Sequence, residues 1–155
     1  MNREGLIESA GKLISFDSAA VLEYEKKLPI MVQLMNEKME ARNDISDLVG
    51  DNVLMMRDNH ANHARFILSV MQNFNAEVLV DTILWVFRAY RSRNFHSSYW
   101  AAQLNTWLLV FESELSPSAY REIWRIYNWM QVNIPSFVIC SDDKLSENKS
   151  KHISD

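Results

Sequence analysis

Apolar residues recur at three- and four-residue steps along most of the chain, the spacing that gives one face of an α-helix. Leu6, Ile7, Ala10, Leu13 and Ile14 predict a helix over 4–15. Asp17 or Ser18 then caps a second segment carrying Val21, Leu22, Leu28, Met31, Val32, Met35 and Met39. Pro29 interrupts it, and because proline disfavours helical angles in the residue before it, a kink or break is expected near Leu28. Residues 43–50 read as a connection or a short turn of helix ending at Gly50, and 51–72 as a third helix. Asn75 is the next N-cap, with Glu77 close to the positive helix end. The segment 76–92 is apolar nearly all round, which predicts a helix in the middle of a bundle. Asn94 tolerates the left-handed angles that end helices, and Ser97 or Ser98 caps the next helix, to about Leu115. Ser116 fits an N-cap and Pro117 a first helical position for the last helix, which Pro135 is expected to stop. Residues 141–155 hold seven charged groups against two sizeable apolar ones, Leu145 and Ile153. So little burial predicts a disordered polar tail after a helical domain of residues 1–140.

Composition narrows the fold further. Three glycines and three prolines in 155 residues are too few for a fold of many tight turns or for a phosphate-binding loop. A hydrophobic share of 48% with seventeen aromatic side chains supplies a substantial core. The expected class is all-α: one globin-like or multi-helix bundle domain of about six helices. The single cysteine, Cys140, excludes an internal disulfide and multi-cysteine metal sites. With no signal-type leader in view, a cytoplasmic location is expected. No apolar stretch is long enough to span a membrane, and the net charge of −4 with interspersed cations argues against nucleic acid.

The most informative stretch is 51–71, where Val53, Met56, His60, His63, Ile67 and Val70 fall on one helical stripe. Two imidazoles on an apolar stripe face inward, either satisfied by neighbouring polar groups or lining a cavity as cofactor ligands. No Glu-x-x-His pair or further ligand set accompanies them, so no metal site is expected. Asp81 lies in the most apolar helix and needs a partner there: Arg57, Arg65 or one of the histidines. Arg88, Arg91 and Arg93, followed by Phe95, His96, Tyr99 and Trp100, form a basic and aromatic cluster suited to binding an anion or a protein partner. The alternative is a solvated helix end complementing the dipole. The tryptophans read mainly as core, with Trp129 partly exposed, and Cys140 as a free thiol.

The series Arg57-Asp58, His63, Phe66-Ile67, then Leu79, Asp81, Trp85, Arg93, Phe95 and Leu104 resembles the helical sensor regions of bacterial regulators, including those attached to cobalamin-binding domains. It is also similar, more distantly, to the non-haem globin-like domains of stress-signalling proteins. Asn94 stands where those regions tend to have glycine. In Asp58-Asn-His60-Ala-Asn-His63 the final glycine of a cobalamin motif is replaced by His63, mid-helix, so cobalamin binding is not expected. The resemblance implies a globin-like domain that receives a signal or docks a partner without chemistry. The expected function is therefore a non-enzymatic regulatory or sensor domain acting through a protein partner or a second copy, with no cofactor required. A haem- or tetrapyrrole-binding sensor using His60 or His63 is the alternative. An enzyme using His63 and Asp81 as acid and base comes third, since no nucleophile motif or phosphate loop accompanies the pair.

Overall fold

The computed structural model describes the backbone of residues 1–154 and the side chains of residues 1–142, so that of the polar tail expected over 141–155 the residues from 143 onward lie outside the fully described part. The helices are α1 (Arg3–Ala10), α2 (Ser18–Glu40), α3 (Ile45–Val49), α4 (Val53–Gln72), α5 (Ala76–Arg91), α6 (Tyr99–Glu114) and α7 (Pro117–Ser154), with no strand among the described residues. The expected all-α class holds. Ser141 and Asp142, expected in the tail, belong to the folded part: Ser141 is buried and Asp142 pairs with Arg91.

Several ends fall where local chemistry predicts. Asn75 caps α5 by accepting the Val78 N–H at 3.0 Å. Asn94 takes a left-handed φ of 67°, and Gly50, at φ 58° and ψ −129°, ends α3 in a region that only glycine visits freely. Ser116 Oγ accepts the Ala119 N–H ahead of a helix that opens on Pro117. The first helix is shorter than its apolar spacing implies, ending at Ala10, because Arg125 takes over the segment that follows. Its guanidinium donates to the carbonyls of Leu13 and Ser15 and lies 5.0 Å over the Phe16 ring.

Both internal prolines are accommodated inside helices. Pro29 lies within α2 on the exposed side, where the carbonyl it leaves unbonded can face water, while Tyr24, Met31 and Met35 anchor both halves in the core. The expected stop at Pro135 does not occur: α7 runs through it. Phe137, half a turn later, is fully buried and meets Phe87 at 5.5 Å and Trp129 at 5.4 Å, edge-on in both cases. That burial offsets the missing helical bond. Pro135→Ala restores an N–H able to reach the Gln131 carbonyl and is expected to raise folding stability by about 1–2 kcal/mol, after allowing for the freer unfolded chain. Urea denaturation checks this, and an unchanged midpoint refutes it.

In the bundle α7 packs against α1, α2, α5 and α6, and α2 against α4, α6 and α7. The nearly all-apolar α5 is not central, contrary to the expectation from its composition. It packs on α1 and α7 and leaves Val78 and Trp85 exposed. Its remaining apolar face turns toward α4 and α6, where helix-to-helix packing is sparse. The gap left there positions the site.

Candidate functional site

A cavity of about 300 Å³ fills that gap. From α4 come Asn59, Asn62, His63, Phe66 and Ile67; from α5, Thr82, Ile83, Trp85, Val86, Phe87 and Tyr90. The α6 wall is Trp100, Gln103 and Leu104, and α7 closes the floor with Met130 and Phe137. Asn62 and Trp85 are themselves exposed, so the cavity reaches solvent between α4 and α5. No lining residue is Asp, Glu, Lys or Arg. The walls are mostly aromatic and aliphatic with a few convergent polar groups, the general make-up of a small-molecule site.

The two histidines of the α4 stripe have different surroundings. His63 lines the cavity; its Nε2 lies 2.5 Å from Tyr127 Oη and its ring stacks on Trp107 at 5.5 Å. Desolvation, reinforced by the neighbouring His60, pushes its pKa down to about 3. The residue is half-buried. His60 is fully buried and turns toward α2, where its Nδ1 meets Asn36 Oδ1 at 2.6 Å. Since Asn36 Oδ1 can only accept, Nδ1 carries the proton and Nε2 is the bare nitrogen, without a partner among the described residues. Burial lowers the His60 pKa to about 4, against a weaker opposing pull from Glu40. Both imidazoles are therefore neutral at pH 7, and the stripe places both inward, one on the cavity and one behind it.

A buried amide pair completes the polar wall. Asn59 Oδ1 accepts the Tyr99 hydroxyl and the Gln103 Nε2–H, each at 3.0 Å. Sequence reasoning missed both amides. The available signal was position: Asn59 lies three residues after Met56 and four before His63, while Gln103 lies between Trp100 and Trp107, so each interrupts an apolar stripe.

Other candidates are placed differently from expectation. Asp81 is held by Arg3 of α1, through Nε at 2.7 Å and a second nitrogen at 2.8 Å. It is not paired with Arg57, which bonds Glu40, or Arg65, which bonds Asn62. Arg3 is available because α1 packs along α5, a tertiary contact that spacing alone does not reveal. His63 and Asp81 thus have separate partners in Tyr127 and Arg3.

The basic and aromatic junction splits in two. Phe95, Tyr99 and Trp100 are buried, in edge-on contact with one another and with Tyr90, and so are not presented to a partner. Their apolar bodies contribute more in the core than at a surface. Arg93 and His96 are exposed, Arg91 pairs with Asp142, and Arg88 is half-buried. Trp129 is buried too, its Nε1–H donating to Ser9 Oγ at 2.9 Å, whereas Trp85 at 62% and Trp124 at 43% exposure are the tryptophans that face solvent. Among the described residues no three His, Cys, Asp or Glu side chains converge as a metal site, and no helix is long and apolar enough to cross a membrane.

Fold and site together define an all-α domain built around a small, uncharged cavity. Comparison with protein-family models, with curated proteins and with solved structures found no match.

Proposed function

We propose that this chain is a non-enzymatic sensor domain of the cytoplasm that takes a small neutral molecule into the cavity and passes the signal on through a protein partner or a second copy. The observation that carries this reading is the cavity itself. About 300 Å³ of space stays open where α4, α5 and α6 would otherwise close-pack, in a chain with ample apolar side chains to fill it. An apolar cavity of about 150 Å³ already suffices to bind benzene, so this one accommodates a fused-ring molecule. A bound molecule would bridge the polar wall of α4 and α6 to α5, fixing a helix otherwise held from its other side by α1 and α7. That change in order is what a partner would read. The globin-like arrangement belongs to the same proposal, with a histidine of α4 beside the pocket.

Calorimetric titration with 1-methylindole, a neutral fused ring without a donor, tests the reading. Saturable binding is expected, lost in Ile83→Trp, which fills the cavity from α5. If neither 1-methylindole nor its N–H isomer 3-methylindole binds the unaltered protein, the reading is overturned. Haem is the weaker alternative, because His63 Nε2 is engaged by Tyr127, and His60, whose Nε2 is bare, is fully buried and does not line the cavity. Added haemin is expected to give no Soret shift beyond that of free haemin.

A further inference from the structure

We propose that the cavity selects a neutral aromatic ligand bearing one N–H or O–H donor, and that the Gln103 side-chain oxygen is the acceptor that recognises it. The inference rests on the cavity being a ligand site and adds the chemical class of the ligand.

Gln103 is fully buried, lines the cavity, and has an Oε1 with no hydrogen-bond partner among the described residues. Its orientation follows from its neighbours. Tyr99 is fully buried, and desolvation holds its phenol in the protonated form, so its O–H needs an acceptor, which Asn59 Oδ1 supplies. With that oxygen fixed, Gln103 must present its amide N–H to Asn59 and keep its carbonyl oxygen free. An unpaired buried acceptor is costly, and a ligand donor removes that cost.

The rest of the lining narrows the class. With no Asp, Glu, Lys or Arg on the wall, a charged ligand would be buried without a counter-charge. Phe87 and Trp100, stacked at 4.5 Å and 17°, present flat aromatic surface, and Phe66 and Trp85 add more toward the opening. Planar rings match such walls.

Two isomers of one size separate the outcomes: 3-methylindole carries an N–H donor and 1-methylindole does not. Calorimetry on the unaltered protein is expected to show the 3-methyl isomer binding about tenfold more tightly, the factor for pairing one buried acceptor. In Gln103→Met the two isomers are expected to bind alike. Equal binding of both isomers to the unaltered protein, or a tenfold preference that survives in Gln103→Met, overturns the assignment of Gln103 while leaving the cavity as a ligand site. Binding of neither isomer overturns the site itself. Should Gln103→Met fail to fold, the comparison of isomers on the unaltered protein decides alone.

Discussion

Acidification from pH 7 to pH 5 is expected to remove on the order of 3–5 kcal/mol of folding stability, before the bulk of the carboxylates titrate. The cause is the histidine pair of α4. In the folded chain His60 and His63 bind protons only near pH 4 and pH 3, because each would have to become charged in a desolvated site. In the unfolded chain both return to an ordinary value of about 6.5. Between these limits the unfolded state carries up to two more protons than the folded one. Stability therefore falls with pH, by up to about 1.4 kcal/mol per unit for each histidine. The contribution is complete above pH 6.5 and is lost as pH drops through the folded values. Asp44, lowered by its contact with Arg42, adds to acid sensitivity only toward and below its usual 3.8, so the interval from pH 6.5 to 5 belongs to the histidines. Urea midpoints at pH 7.5, 6 and 5 should decline in the unaltered protein and stay nearly level in a His60→Gln, His63→Phe double variant. An equally steep decline in the double variant would mean that the imidazoles are not the groups responsible.

The same residues mark how far the sequence could be read. Spacing alone placed His60 and His63 on the inward stripe of α4, because a helix repeats every 3.6 residues and their neighbours on the stripe are aliphatic. It could not tell which imidazole would meet a cavity, since that depends on how far α5 stands from α4. Caps at Asn75 and Ser116 and the left-handed Asn94 were legible, being set by a few adjacent residues. The two prolines were not: local geometry argues for a break at each, and only distant contacts, those of Tyr24 and Met31 around Pro29 and of Phe137 after Pro135, hold the helices together. Asp81 shows the same limit. Its need for a cation was clear from its apolar helix, but the cation is Arg3, 78 residues away.

Truncation of Trp107 is expected to give the largest loss from a single substitution. The side chain is fully buried, stacked between His63 at 5.5 Å and Phe111 at 5.4 Å, with the His60 ring edge-on at 6.1 Å. Trp107→Ala removes the support behind the cavity wall and is expected to cost about 3–5 kcal/mol. Trp107→Phe separates two effects that the alanine variant combines. Phenylalanine keeps a ring between His63 and Phe111 but gives up the packing of the second ring, a loss of about 1–2 kcal/mol. It also removes an indole N–H that is buried with no hydrogen-bond partner among the described residues, a gain of about 1–3 kcal/mol. These offset, so Trp107→Phe should lie within about 1 kcal/mol of the unaltered protein by urea denaturation at pH 7.5, where both histidines are neutral in either state. A phenylalanine variant as unstable as the alanine one would show that shape at this position, not the unpaired N–H, governs the packing behind His63.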